Sequence, residues 1–441
     1  MFFSGKTNHK LFQNEKTKSV LFFFIFYIFF PFTGNSQESN KVLELPLFFT
    51  ETNPESPVGI FSLDFPFYFP TNTQPGHKFS FGYSMGNVWH PKSWYYYPHN
   101  MTPEQSRITS RLFFVDRPTY FTHENIKTTV RSYQADGVLQ HFRFTSANRW
   151  RNKHNLLINM NIHLLSSGKS FVNYLVSDEF IENFHSTFAV EDNFGRKLYP
   201  FNRALIEYKD DDGNNLRINN GNLFCGVLDA HYYYELYQKA KPKSHFYSQA
   251  AFHLSVPLNK FHQYVIPGFS LGVRNDFEIG KRSALSLAFD GGFTFQKLLK
   301  MSSSVNVIDK NSRAQGSLYT GYHLAGKNRT FTFGFLNQYQ DPLLKGGRLD
   351  WEQLGYSNIG VRYLQEGDFW EGEYVKQEFW LTKLASASLY SFSIKSYIIF
   401  GFHKHHRSLN IYIGEDLIAF NNSPDFQVGF QYSFSLSGNK K

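Results

Sequence analysis

The clearest pattern in the chain is its last one. Phe426, Val428, Phe430, Tyr432, Phe434 and Leu436 alternate without a miss against Gln427, Gly429, Gln431, Ser433 and Ser435. Successive side chains of a strand point to opposite faces, so this alternation predicts a strand with one apolar and one polar face. Its eleven residues also match a tilted strand that crosses a bilayer. The same signature recurs upstream. Phe79, Phe81, Tyr83 and Met85 form one such run, and Leu156 to Leu164 another, opposed by Asn159, Asn161 and His163. Phe224, Leu228, Ala230, Tyr232, Tyr234 and Leu236 predict a long strand with Asp229, His231 and Glu235 on its other face. Further runs follow at Phe246–Val256, Phe269–Val273, Leu285–Phe295, Leu318–Leu324, Phe331–Phe335 and Tyr390–Phe402. The expected fold is all-β, an antiparallel transmembrane β-barrel of about 12 strands, with 10–14 admissible. A soluble secreted β-sandwich also alternates and is the competing class.

Two stretches do not read as barrel wall. Residues 37–76 hold six prolines (Pro46, Pro54, Pro57, Pro66, Pro70 and Pro75), which strand interiors reject. They also hold Leu63, Phe65, Phe67, Tyr68 and Phe69, more apolar surface than a disordered lead-in carries. A lumenal plug and a periplasmic lead-in are both open readings. The second stretch is Asp178 to Phe188. Phe180, Ile181, Phe184 and Phe188 fall on one helical face, with Asp178, Glu182 and His185 towards the other. This predicts a short amphipathic helix, inside the lumen or at the membrane edge.

The N-terminus changes the picture of where the chain goes. Lys6, Lys10, Lys16 and Lys18 against Glu15 precede an unbroken apolar run from Val20 to Phe30, then Pro31 and the small residues Gly34 to Ser36. That is the layout of a secretory signal peptide, too short to span a membrane as a helix. The chain is thus divided into a signal peptide (1–36), the Pro-rich segment (37–76) and a barrel domain (77–441). The expected address is the outer membrane of a Gram-negative bacterium after Sec export. No apolar run in 37–441 is long enough for a transmembrane helix, and only a closed barrel could otherwise satisfy backbone groups in lipid.

Composition agrees with an exported barrel. Of the 441 residues 19% are aromatic, Phe alone filling 50 positions, while the hydrophobic total is only 41%. A soluble α/β enzyme would be richer in Leu, Ala and Val. The net charge of +9 falls to +6 without the +3 of the leader, and it is spread out, which argues against a nucleic-acid partner. Cys225 is the one cysteine, so no intramolecular disulfide can form.

Four constellations carry potential chemistry. Gly268-Phe269-Ser270-Leu271-Gly272 fits G-x-S-x-G, but that nucleophile sits at a strand-to-helix turn, and strand periodicity continues here; glycines facing the lumen or lipid are the simpler reading. His403, His405 and His406 are interleaved with Lys404 and Arg407, which oppose a cation, so the stretch reads as a solvated hairpin tip rather than imidazoles converging at about 2 Å on a metal. Asp210 to Asn215 resembles a calcium loop but puts Asn215 at the sixth position and Gly221 at the twelfth, where an EF-hand needs Gly and Glu; a tight turn is expected. Asp178, Glu182 and His185 share a helical face and could work as acid and base or as a latch.

The stretch from Phe142 to Arg196 resembles an uncharacterised family of bacterial outer-membrane barrel proteins (domain of unknown function 3187). The matching residues are Phe142-Arg143-Phe144, Asn148-Arg149-Trp150, Gly168, the block Asp178-x-Phe180-Ile181-Glu182-x-Phe184-His185-x-x-Phe188, and Gly195-Arg196. Ala189-Val190-Glu191 stands where the family shows Gly-Leu-Pro. The resemblance implies a barrel and an outer-membrane address and assigns no activity. Asp178, Glu182, His185 and Arg196 are therefore helix or latch candidates without a catalytic role.

The leading functional expectation is a channel or facilitator for small molecules. A lipid-acting outer-membrane hydrolase and a structural or partner-binding barrel with contacts on loops such as Asn87–Ile108 are the alternatives. Expected partners are outer-membrane lipid, the barrel-assembly machinery during biogenesis and a small-molecule solute. No cofactor or metal is expected.

Overall fold

A computed structural model describes residues 47–51, 59–70, 76–96, 112–115, 129–150, 153–169, 173–181, 183, 201, 203–210, 212–241, 243–259, 261, 264–301, 305–307, 310–327, 329–343, 393–404, 406–415 and 426–436. The leader (1–36) lies outside them. The N-terminal segment holds two three-residue strands, β1 (Leu47–Phe49) and β2 (Phe67–Phe69). Then come β3 (Gly76–Asn87), β4 (His90–Tyr96), β5 (Leu112–Val115), β6 (Thr129–Asp136), β7 (Val138–Trp150), β8 (His154–Ser166), β9 (Leu205–Lys209) and β10 (Asn215–Asn219). Next follow β11 (Leu223–Lys241), β12 (Ser244–Pro257), β13 (Tyr264–Gly280), β14 (Ser283–Phe295) and the two-residue β15 (Leu299–Lys300). The chain finishes with β16 (Ser312–Ala325), β17 (Thr330–Gln340), β18 (Ser393–Lys404), β19 (Arg407–Glu415) and β20 (Phe426–Leu436).

Twelve strands, β3, β7, β8, β11 to β14 and β16 to β20, each pair antiparallel with the next in sequence. The last, β20, returns to β3, with Phe430 opposite Tyr83. The result is a closed up-and-down barrel of 12 strands, which leaves no free edge. Its two ends differ. At one, the connections are short (151–153, 242–243, 281–282, 326–329 and 405–406), and there the chain enters β3 and leaves β20. At the other they are long, notably 88–137, 167–222 and 341–392. Short turns on one side and long loops on the other are the asymmetry of outer-membrane barrels.

Burial follows the alternation. Outward side chains such as Phe252 (52% exposed), Leu271 (58%), Phe289 (52%) and Leu318 (53%) form an apolar exterior, while inward His231, His253 and Gln431 are fully buried. Exposed aromatics in this density suit lipid better than water. One face assignment from the sequence is corrected. Phe224 does not share the outward face of Leu228, because Gly226-Val227 bulges between the pairs Cys225–Ile162 and Leu228–Met160. An extra residue in one strand flips the parity, so Phe224 turns in and its ring stacks on His163 at 5.5 Å.

The long connections are not mere loops. Those at 88–137 and 167–222 build a second sheet, ordered β10-β9-β6-β4-β5, at the long-loop end. Gly137, at φ 118°, turns the chain from β6 into β7; a Cβ there would stand 2.9 Å from the Ser166 carbonyl oxygen. The expected helix at 178–188 is described only in part. A 3-10 turn (Tyr174–Val176) leads into a helical turn at 178–181. Val176 packs on Met85, Val138, Phe426 and Val428, and Asn87 Nδ2 donates to Asp178 Oδ1 (2.9 Å). Met85 and Asn87 belong to the outward set of β3, so this turn clasps the outer rim. Glu182, His185 and Arg196 lie outside the described residues, as do Tyr390 and Phe392.

Candidate functional site: a plug inside the lumen

The N-terminal segment lies among the inward side chains of the wall. Pro66 and Pro70 bracket β2 and hold it to three residues. It pairs antiparallel with β1, Phe48 facing Tyr68 and Phe49 facing Phe67. In a lumen both faces of such a ribbon meet protein, so every side chain of the pair is buried. Phe48 and Tyr68 pack on Ala147, Leu157, Tyr233 and Ala251 on one side. Leu47, Phe49, Phe67 and Phe69 pack on Tyr319, Leu336, Tyr397 and Tyr412, among others, across from them. Ile60 to Phe65 fill the long-loop end beneath Tyr133, Ile206 and Tyr208 of the second sheet.

A ribbon without strand neighbours leaves backbone groups that must find other partners. Wall amides supply them. Gln249 Nε2 donates to the Tyr68 carbonyl (2.7 Å), Asn410 Nδ2 and Gln431 Nε2 to that of Phe48 (both 3.2 Å), and Gln315 Nε2 to that of Leu63 (2.6 Å). In return Gln315 Oε1 accepts from Phe65 N and Gln431 Oε1 from Thr50 N, each at 3.0 Å.

Glu51 is the densest node. Its carboxylate accepts from Arg143 Nη2 (2.8 Å), Ser84 Oγ (3.2 Å), Gln427 Nε2 (3.1 Å) and Tyr412 Oη, and lies 3.1 Å from His141 Nδ1. Gln338 Nε2 donates to its carbonyl (3.1 Å). One residue thus ties the segment to β3, β7, β17, β19 and β20. Burial pushes the Glu51 carboxyl up, but the Arg143 charge and the His141 contact outweigh it and hold the group well below the usual carboxylate range. It stays ionised wherever the protein is folded at ordinary pH.

Two cavities of about 20 Å³ each lie between plug and wall, each with space for a single water. One lies beside Phe48, Phe49, His323 and His403, the other beside Ser62, Asp64, His163 and Asp229.

The sequence constellations fall into place around this plug. Ser270 and His253 do meet, with His253 Nε2 2.9 Å from Ser270 Oγ. However, Asn159 Nδ2 points at His231 Nε2 (3.2 Å), and His231 Nδ1 at His253 Nδ1 (2.8 Å). With Asn159 donating, each imidazole passes its N–H onward, so His253 donates to Ser270, which donates to Asp290 Oδ2 (3.4 Å). A serine that accepts a hydrogen bond from its histidine is not activated by it, because the ring nitrogen facing it already carries a hydrogen. Phe65 also stacks on His253 at 4.1 Å. This is a hydrogen-bonded belt in the wall.

His403 corrects the hairpin-tip reading: it lies in β18, 3.3 Å from Thr332 Oγ1, which in turn contacts His323 Nδ1 at 2.9 Å. The tip is at 405–406, with His406 exposed and His405 outside the described residues. Among the described residues no three His, Cys, Asp or Glu converge as metal ligands. Asp210 forms the expected turn, and its oxygens are taken by Asp212 N (3.1 Å), Asn214 N (2.8 Å) and Asn306 N (2.8 Å).

No family model matches the chain, and no curated protein matches it in sequence. Similar solved structures are outer-membrane barrels. The toluene transporter TodX of P. putida is 7% identical, covers 87% of this chain and 93% of its own, and gives a TM-score of 0.28. The outer membrane channel DcaP of Acinetobacter baumannii is 10% identical over 82% and 96% at a TM-score of 0.24. A loop L8 deletion mutant of OmpT of Vibrio cholerae is 6% identical over 82% and 99% at 0.26. These are distant likenesses, and the fold stands on the strand pairing itself.

The glycines of the G-x-S-x-G run have a plain role beside the plug. A Cβ on Gly268 would lie 3.1 Å from Phe65 Cε1, and one on Gly272 2.8 Å from Phe69 Cζ. Both spaces are filled by plug rings. Gly272→Val is therefore expected to weaken plug docking by about 1–3 kcal/mol through overpacking. Adding Phe69→Ala should relieve most of that loss. Limited proteolysis of residues 47–70 across the four-member cycle measures it; additive effects would show that the two positions do not meet.

Proposed function

We propose that this protein is an outer-membrane barrel that conducts small solutes through a lumen closed by its own N-terminal segment. The carrying observation is the polar docking of residues 47–51 and 59–70. The lumen presents Gln, Asn, His and Arg side chains to the plug, and several of its contacts run through a single carboxylate, Glu51. Groups of that kind are equally satisfied by water, so a departing plug would leave a lumen that water can wet between the tyrosine and aliphatic side chains it had packed on. A twelve-stranded barrel is wide enough for such a path once emptied. The exterior apolar surface and the turn asymmetry support the membrane address, with lipid as the surrounding partner.

The test is permeation. Mature protein in planar bilayers or swelling liposomes should conduct weakly, and deletion of residues 37–76 should raise permeation to small sugars and amino acids at least about tenfold. Absence of permeation from both forms, each verified as folded, would sink the channel reading. Retention of a stable protein complex by such a non-conducting barrel would instead favour a partner-binding role.

A further inference from the structure

Buried polar atoms without partners are rare in folded proteins, and each one requires an account. The lower lumen, towards the short-turn end, holds three of them side by side. Arg274 on β13 is 1% exposed; Asp276 takes its Nε at 2.8 Å, yet Nη1 and Nη2 have no hydrogen-bond partner. Tyr247 on β12 stands directly opposite in the strand register, 4% exposed, and its hydroxyl is unpartnered as well. Both belong to the inward face. One same-face step along β13, Gly272 receives the ring of Phe69, which meets the Tyr247 ring edge-on with centroids 6.2 Å apart. A free donor pair, a free hydroxyl and a slot shaped for a six-membered ring thus adjoin.

From this geometry we infer that Arg274, Tyr247 and Gly272 form a solute subsite for neutral arenes that carry an acceptor oxygen, occupied in the closed state by Phe69. The inference rests on the reading above that the plug can yield to a solute. The Phe69 ring is the pattern for the apolar body: a glycine floor and a tyrosine edge suit an arene. The oxygen would accept from the Nη groups and Tyr247. Charge decides against an anion. Arg274 is already balanced by Asp276, Arg149 by Glu235 (3.1 Å), and Asp290 adds a carboxylate beside Gly272 with no cation among its hydrogen bonds. Each guanidinium already has its counter-ion, so a carboxylate would find no unbalanced cation, whereas a neutral carbonyl needs only the Nη and hydroxyl donors.

The test uses the full mature chain in detergent, with Phe69→Ala opening the slot and heat-modifiable migration confirming a folded barrel. Acetophenone, ethylbenzene and benzoate are titrated by calorimetry. Acetophenone should bind at least about tenfold tighter than ethylbenzene, since a hydrogen bond to a charged donor distinguishes them. Arg274→Lys added to Phe69→Ala retains the charge beside Asp276 but loses the two-donor edge, and should abolish that preference. Tyr247→Phe should reduce it, and carries the test if the lysine variant does not fold. Equal binding of acetophenone and ethylbenzene, no binding of either, or tighter binding of benzoate would overturn the proposal. Permeation plays no part in this measurement, so a barrel that conducts without an Arg274-dependent preference refutes the subsite alone. A barrel that binds with this preference yet never conducts refutes the channel alone.

Discussion

Glu51→Ala is expected to open the barrel. The substitution leaves Arg143, 1% exposed, without its carboxylate and strips a shared acceptor from Tyr412, Gln427 and Ser84. Removing one partner of a buried ion pair costs about 3–5 kcal/mol, because the other charge is left uncompensated. That cost falls on the plugged state. With the plug out, water reaches Arg143 whether or not residue 51 carries a charge. The plugged-to-open ratio should therefore fall by between about a hundredfold and a few thousandfold. Single-channel recording would show this as longer or more frequent open events, and protease should cut residues 47–70 sooner. Glu51→Gln retains the shape but not the charge and should fall between. Because Arg143 without Glu51 is the main penalty, Glu51→Ala with Arg143→Ala should be less open than Glu51→Ala alone, a non-additivity that identifies the pair. An unchanged conductance in a folded Glu51→Ala barrel would mean that the segment is held by something other than this carboxylate.

The barrel wall was legible in the sequence for a physical reason. A strand between lipid and lumen must alternate, and it does so locally, so runs such as Leu156–Leu164 and Phe426–Leu436 show their faces without any neighbour. Legibility stops where a contact depends on closure. Glu51 is one of several acids in a Pro-rich stretch, with nothing local to single it out; its partners lie 92 positions away at Arg143 and 376 at Gln427, and only the closed ring brings them together. Alternation alone sets Phe224 on the outer face, but the bulge at Gly226-Val227 shifts parity without interrupting the apolar pattern. The second sheet is invisible in the sequence for another reason. Strands β9 and β10 have five residues each, too few for alternation to stand out within connections of mixed polarity. The inward glycines were visible as a motif, but their meaning, room for Phe65 and Phe69, needed the plug in place.

The membrane reading itself makes a prediction whose sign separates it from a soluble barrel. Phe289 is the middle residue of the thirteen in β14, 52% exposed, with outward Val273 and Leu318 as its register neighbours at 43% and 53%. On a water-soluble protein, replacing a half-exposed Phe by Arg on a strand surface changes stability by no more than about 0.5 kcal/mol, and improves solubility. At the middle of a lipid-facing strand the same change costs about 2–4 kcal/mol, because the guanidinium must be hydrated or snorkel out of the hydrocarbon. Phe289→Arg is therefore expected to lower the stability of the barrel folded into lipid vesicles by that amount in urea titrations. Phe289→Leu, which keeps the face apolar, should cost far less. Position along the strand gives the internal control. Phe295, the last residue of β14 and on the same outward face, stands near the water interface, where Arg costs about 0–1 kcal/mol. A depth-dependent penalty, large at 289 and small at 295, is the signature of a bilayer around the wall. Equal and negligible effects at both positions would place these aromatic side chains in water and remove the membrane from the account.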